Sequence, residues 1–562
     1  MSGPCIIVQS NMEVLLNVDS KQHQEARDTI APFTELVKSP EHFHTYSISH
    51  LSLWNAASTG LSAEDVLARL KKYSSYEIPD IVIAEITEYM GRYGMLRLVL
   101  RDASLVLECD SEALFLEICK RKEIEGYIES FISTKAAVVS PLVRGKLKIL
   151  LTELGFPVQD LAGYVQGEHL DIELGDSFAL RDYQKDAAQV FYASGSEKGG
   201  SGVIVLPCGS GKTIIGMAAM ALIKSHTLIL TPSVTAARQW IREILQKTSL
   251  TENQVKEYSG DSKEIGPVTV ATYQILTQRK RNKPNEEESV AGSIEQEFSN
   301  FSLFESRKWG LMIYDEVHLL PAPVFRFSAD MQATRRLGLT ATLVREDHKE
   351  TEVFSLIGPK KFDIPWRILE AQGWIAQAKC HEIRVNMNPE LRMAYAVAPP
   401  REKIVLAGCN QEKFGVVKKL LEKHSEENDR ILIIGQYIEQ LEALAKEIDT
   451  PLITGKTPNK DRDKLYESFR RGEIRILTVS KVGNFAIDLP DASVLIQISG
   501  TFGSRQEEAQ RLGRVLRPKK DGRPAMFYSV ITKESKEQEF AMNRQLFLAE
   551  QGYGYEIIYI SV

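Results

Sequence analysis

The chain is 562 residues long, 43% hydrophobic and 26% charged, with a formal net charge of −6. Those values place it among globular proteins of about three or four domains and give no global basic signature of a nucleic-acid binder. Its six cysteines are scattered without a CxxC pair, which argues against a zinc cluster or a disulfide framework. The N-terminus has no basic segment followed by an apolar region, and no apolar run is of bilayer length, so the expected location is the cytoplasm.

In chain order, Cys5 to Val8 and Glu13 to Val18 read as two short strands. Ser62-Ala63-Glu64-Asp65 is a helix start, with an N-cap hydroxyl and an acid three residues later. Asp80 to Tyr93 reads as a helix, and Met95 to Leu100 as a strand. This α+β order is compatible with a winged-helix-like region. A second unit runs from Ala113 to about Asp171. Its segment Leu142 to Leu154 is helical and basic through Arg144, Lys146 and Lys148, which reads as a solvated face.

From Leu180 the pattern becomes alternating strand and helix. Strands are expected at Val203 to Leu206, Thr227 to Leu230, Val268 to Ala271, Leu311 to Tyr314 and Leu337 to Leu339. Such a series predicts a doubly wound parallel sheet with its functional loops at the strand C-termini. Gln278 to Asn300, rich in charge, reads as a surface insertion. A second series, Arg430 to Ile434, Ile474 to Val479, Val494 to Ile498 and Ala525 to Val530, predicts another parallel sheet.

The most informative run is Leu206-Pro207-Cys208-Gly209-Ser210-Gly211-Lys212-Thr213. It lies between a buried-strand pattern and a helix pattern, which is the arrangement of a P-loop. Backbone N–H groups of such a turn cradle phosphates. Lys212 then supplies charge to the β/γ-phosphates, and the Thr213 hydroxyl ligates Mg²⁺. The opening Leu206 replaces the usual Gly. Cys208 within the turn argues for a reducing compartment.

The apolar strand ending in Asp315-Glu316-Val317-His318 supplies a second site. Two carboxylates at the end of a buried strand are costly unless a metal or a water uses them. Asp315 is the expected Mg²⁺ holder and Glu316 the base for the attacking water. His318 is a candidate coupler to a neighbouring element. In Gln510-Arg511-Leu512-Gly513-Arg514-Val515-Leu516-Arg517, the two arginines three apart share a helix face and can meet a γ-phosphate from the second sheet.

With these motifs in hand the chain resembles superfamily 2 helicases and, within them, the XPB family. Gly211-Lys212-Thr213, Asp315 to His318 and Gln510 to Arg517 resemble motifs I, II and VI. Leu180 to Gln184 resembles the Q motif, which implies base contacts from Arg181 and Gln184. Thr340-Ala341-Thr342 resembles motif III, implying coupling of nucleotide state to nucleic-acid grip. Val479 to Pro490 resembles motif V, implying that Gly483 and Asp488 sit near nucleotide and Ser480 faces nucleic acid. Arg345-Glu346-Asp347 resembles the RED motif, implying strand separation. Asn388 to Cys409 lies where the family carries its thumb insertion.

The resemblance implies an α/β fold with two RecA-like parallel-sheet motor domains in tandem, preceded by an α+β N-terminal region. The expected boundaries are 1–110, winged-helix-like; 111–172, a small DNA- or partner-binding domain; 173–370, the first motor domain; 371–412, a connector with a short thumb; and 413–562, the second motor domain. Thr231-Pro232-Ser233, Ser259-Gly260, Thr272-Tyr273 and Thr454-Gly455 follow strand-like segments. As a set they read as a DNA track that binds phosphates without reading bases. The implied activity is an ATP- and Mg²⁺-dependent DNA helicase of 3′→5′ polarity, monomeric and nucleoid-associated if prokaryotic, serving repair or transcription-linked opening. Single-stranded and forked DNA are the implied partners, with a nuclease or other repair partner docked through the N-terminal region. A double-stranded DNA translocase or remodeller, and an RNA helicase, stand as alternatives.

Overall fold

The structure, a computed structural model, describes residues 5–278, 300–480, 492–500 and 523–560, apart from positions 41, 75, 177, 208, 323, 325, 326, 329, 330, 333, 342, 344–348, 426–428, 551, 552 and 554. The chain forms two compact units, one holding most of residues 1–363 and the other Ile364–Val562 together with Leu36–Glu41 and Pro207–Ser210.

At the start of the first unit, Ile6–Val8, Glu13–Asn17 and Phe43–Ser47 pair antiparallel. The helices His50–Ser58, Ala63–Tyr73 and Asp80–Arg92 follow. The predicted cap is present: Ser62 Oγ accepts from Asp65 N at 3.1 Å, and Asp65 accepts from Ser62 N at 2.9 Å. Three helices leading into the hairpin Leu96–Arg101 and Ser104–Cys109 is the order of a winged helix. The hairpin is not a free wing, because both strands lie inside a five-stranded sheet with Ile128–Ser133, Ala136–Val139 and Val158–Leu161. The boundary expected at 110/111 therefore falls within one sheet. A single core explains this: Leu98, Leu107, Phe115, Leu147 and Leu151 are buried together.

The helix Arg144–Glu153 carries a correction. Arg144 and Lys148 are buried rather than solvated. Arg144 donates to both oxygens of Asp160 at 3.1 and 2.6 Å, and Lys148 donates to Asp160 at 3.0 Å and to Gln332 at 2.9 Å. Burial alone would raise the Asp160 carboxyl, but the Lys148 and Arg144 charges hold it well below the usual range. Burial lowers Lys148 to about 8. Sequence reading missed this because the partners lie in the next strand, Asp160, and beyond it at Gln332. Thr152 and Ser355, 3.0 Å apart, extend the same seam.

The larger sheet of this unit has seven strands, all parallel. Their spatial order is Val255–Tyr258, Val268–Thr272, Thr227–Thr231, Leu311–Asp315, Arg335–Thr340, Ser201–Val205, Lys360–Asp363. Every residue of Thr227–Thr231 and Val268–Thr272 is buried, as expected of a parallel sheet covered on both faces. The five predicted strands are present, and the two outer strands are additions. Because all strands run the same way, their C-termini share one edge of the sheet, and the site is built there.

The second unit holds another all-parallel seven-stranded sheet. Its order is Leu452–Ile453, Ile476–Ser480, Ile431–Gly435, Val494–Gln497, Ala525–Thr532, Ala378–Val385, Tyr555–Ile560. Ala378–Val385 lies within the expected 371–412 connector but is an inner strand of this sheet. Its sequence conceals it: Glu382 is fully buried and paired with Arg384 at 2.5 Å, so a core strand reads as polar. Between that strand and the next helix of the sheet lie two short helices, Pro389–Val397 and Pro400–Gly408, where the thumb was expected.

Candidate ATP site and nucleic-acid edge

The strand Ser201–Val205 runs into the glycine turn, and the helix Lys212–Ile223 leaves it. Gly209 and Gly211 have φ of +82° and +86°, a region open to glycine and strained for other residues. A Cβ on Gly211 would lie 2.6 Å from Gln184 Nε2, so the second glycine is needed for space as well. No side chain caps the N-terminus of Lys212–Ile223. The positive end of its dipole points at the glycine turn, an arrangement that favours an anion there.

Asp315 ends its strand, and Glu316 follows it at φ +49°. For a non-glycine residue that backbone is strained, a feature that tends to mark functional turns. Lys212 Nζ lies 3.0 Å from Glu316 Oε1. The other oxygen, Oε2, is 3.5 Å from His318 Nδ1 and makes no hydrogen bond among the described residues. His318 Nδ1 is also 2.7 Å from Thr340 Oγ1. A continuous polar chain thus runs from Lys212 through Glu316 and His318 to Thr340, at the end of the adjacent strand. Burial would raise the Glu316 carboxyl, but the charge of Lys212 and then of His318 hold it below its ordinary value. Asp315 goes the other way, raised by burial and by the neighbouring Glu316 charge. Two half-buried carboxylates with opposed environments suit opposed duties, one staying a base and one awaiting a cation.

Two braces hold Asp315. The indole N–H of Trp240 donates to its Oδ2 at 2.9 Å, and the Tyr273 hydroxyl donates to its backbone carbonyl at 2.8 Å. Sequence reading assigned neither contact, since each joins residues distant in the chain. Gln184 is buried and accepts from Arg181 N at 3.0 Å, closing the N-terminus of the helix Asp182–Tyr192 while abutting the glycine turn. Arg181 donates to the Tyr183 hydroxyl at 3.0 Å.

The strands of the first sheet bring several expected DNA-track residues to one edge: Thr231 stands beside Thr272 in register, and Tyr258, just before Ser259, stands beside Ala271, just before Thr272. Their hydroxyls are differently employed from the expectation. Thr231 donates to the carbonyls of Ser233 and Ala271 at 3.2 Å, Ser259 donates to Glu257 at 2.5 Å, and Thr272 caps the helix Tyr273–Leu276. All three are buried. Gly260 is exposed, while Pro232 and Ser233 are half-buried and Ser233 Oγ accepts from Ala236 N at 3.2 Å. In the second unit Thr454 and Ser480 are buried and Gly455 is exposed. Cys208, Thr342, Arg345, Glu346, Asp347, Gly483, Asp488, Gln510, Arg514 and Arg517 lie outside the described residues.

Thr213 and Asp315 offer oxygen donors, the chemistry of a magnesium site that takes one or two protein ligands and completes its shell with phosphate and water. Among the described residues no helix is long and apolar enough to cross a membrane.

Comparison with known proteins agrees with the motifs. A family described as "ERCC3/RAD25/XPB C-terminal helicase" matches residues 369–561. "Type III restriction enzyme, res subunit" matches 177–345, and "Helicase conserved C-terminal domain" matches 6–130. The "DNA 3′-5′ helicase XPB" of Mycobacterium tuberculosis is 51% identical over 99% of this chain and 97% of its own length. The protein of the same name from Kineococcus radiotolerans is 50% identical over 99% of this chain and 96% of its own. The "General transcription and DNA repair factor IIH helicase/translocase subunit XPB/SSL2" of Saccharomyces cerevisiae is 30% identical, covering 99% and 72%.

Proposed function

The chain belongs to the XPB family of superfamily 2 DNA helicases, and on that footing we propose that Lys212, Thr213, Asp315 and Glu316 carry the ATP hydrolysis of a 3′→5′ strand-separating motor. It is an ATP-dependent DNA helicase. The observation that supports this assignment of roles most strongly is the chain Lys212–Glu316–His318–Thr340.

In this reading the uncapped N-terminus of Lys212–Ile223 receives the β- and γ-phosphates of ATP, with Lys212 as the mobile charge. Lys212 leaves Glu316 for the phosphate, and Glu316, held ionised, takes the proton of the attacking water. A magnesium ion held by Thr213 and Asp315 would neutralise charge on the phosphate oxygens. Arg181 and Gln184, the latter beside Gly211, hold the adenine, with Gly483 and Asp488 near the nucleotide. Arg514 and Arg517 meet charge on the transferring phosphoryl group, aided by Gln510 of the same motif. His318 and Thr340, with Thr342, pass the state of Glu316 to the nucleic-acid edge, and Arg345, Glu346 and Asp347 part the strands.

The exposed backbone at Gly260 in the first unit, beside the half-buried Ser233, and at Gly455 in the second supports phosphate contact that is sequence-independent in each. The role is repair or transcription-linked opening, with the N-terminal region as the dock for a nuclease or other repair partner. The name of the yeast relative includes "translocase", which keeps duplex translocation as the second reading. The test is ATP turnover with single-stranded DNA, duplex DNA, RNA or nothing added. Single-stranded DNA is expected to stimulate most. Equal rates with RNA and DNA, or no stimulation at all, would overturn the DNA reading.

A further inference from the structure

Trp240 connects two parts of the machine that the motifs treat separately. It sits on the helix Val234–Lys247, whose inner face is Ala237, Trp240 and Ile244. That helix begins at Ser233, whose Oγ accepts from Ala236 N at 3.2 Å. Its N-terminus is therefore fixed to the Thr231-Pro232-Ser233 loop. Two turns on, the Trp240 indole is 2% exposed and donates to Asp315 Oδ2 at 2.9 Å. The far side of the ring lies against Gly216 of the phosphate-binding helix. A Cβ there would stand 2.5 Å from Trp240 Cη2 and 3.1 Å from Cζ3. One rigid side chain thus touches the metal-side carboxylate and the P-loop helix, and belongs to the helix that rises from the nucleic-acid edge.

We propose that Trp240 is a positioning residue that sets the Asp315 carboxylate for the cation and transmits movement of the Val234–Lys247 helix to it. This rests on the assignment of Asp315 and of the Thr231–Ser233 loop given above. Groups that donate to a metal-ligating side chain orient it, and their loss commonly weakens metal affinity about 10–100-fold. An indole is well suited to the task. It has one donor, two torsions and a wide ring that packing locks in place.

The test uses the full chain and reads binding rather than turnover. Fluorescence of methylanthraniloyl-ADP is followed as Mg²⁺ is titrated, with and without single-stranded DNA. Trp240→Phe keeps most of the ring and deletes the N–H. Gly216→Ala keeps the N–H but displaces the ring, reaching the same contact from the other side. Both variants are expected to raise the Mg²⁺ midpoint about tenfold, with nucleotide affinity in excess chelator unchanged. DNA is expected to lower the midpoint of the parent and to leave that of Trp240→Phe where it stands.

A Trp240→Phe protein with the parental midpoint overturns the positioning role. A raised midpoint that DNA still shifts by the parental factor overturns the transmission. If Trp240→Phe fails to fold, Gly216→Ala decides by the same criteria. If DNA leaves the parent's midpoint unmoved, the transmission is overturned, and the parent's ATPase response to DNA tells separately whether the DNA reading fails with it.

Discussion

Lys212→Ala is expected to reduce ATP turnover by about 10²–10³-fold or more, as loss of a preorganised charge-stabilising donor does elsewhere. Glu316→Gln is expected to bind nucleotide normally and to hydrolyse it about 10²–10⁴-fold more slowly, the span of general-base catalysis. The two variants differ in kind. Lys212 points charge into an anion site that exists before the nucleotide arrives, so its loss weakens binding and chemistry together. To the chemical step Glu316 supplies proton acceptance, and glutamine is close to it in shape. The Lys212–Glu316 contact at 3.0 Å adds a secondary effect: with glutamine in place, Lys212 loses its ionic partner and is freed toward phosphate. Nucleotide affinity should therefore be kept or slightly improved in Glu316→Gln. Phosphate release after rapid mixing, beside equilibrium nucleotide binding, separates the cases. Parental hydrolysis by Glu316→Gln would remove Glu316 from the base's role.

Arg517→Ala is expected to lower kcat by about 10³-fold or more, within the range of an arginine finger, while nucleotide affinity changes little. Arg514→Ala should do so to a smaller degree. The charge these side chains meet grows as the phosphoryl group transfers, so their contribution falls in the chemical step rather than in ground-state binding. Lysine is a poor substitute, because the planar guanidinium can engage two phosphate oxygens at once. Steady-state kinetics across ATP concentration gives kcat and KM separately. A variant with parental kcat and raised KM would reassign the pair to nucleotide binding.

What was legible in the sequence had a local cause. All residues of the strands Thr227–Thr231, Val268–Thr272 and Leu311–Asp315 except Asp315 are buried, so apolar and β-branched residues dominate each run. The glycine turn and the Asp-Glu pair stand at the ends of such runs, where their chemistry has no competing structural explanation. The Ser62 cap was legible because both partners lie within one turn of helix.

Where sequence reading failed, the deciding partner was remote. Arg144 and Lys148 look like a wet helix face until Asp160 and Gln332 are brought to them. Ala378–Val385 looks like a connector until Arg384 neutralises the buried Glu382. The hairpin after Asp80–Arg92 looks like a wing until three more strands join it. Nothing near Trp240 in the chain announces that its N–H is committed to Asp315. The buried hydroxyls of Thr231, Ser259 and Thr272 follow the same rule. Residue type suggested contact with phosphate, and the fold spends the hydroxyls on backbone carbonyls, on Glu257 and on a helix cap.

Strand displacement on tailed duplexes tests the central claim most directly. A fluorescently labelled duplex with a 3′ single-stranded tail is offered beside one with a 5′ tail, each with and without ATP. The parent protein is expected to release strands only with ATP and from the 3′-tailed duplex, and Lys212→Ala to release none. Release without ATP, equal release from both tails, or displacement of a triplex third strand with no separation of the duplex would contradict a 3′→5′ strand-separating motor.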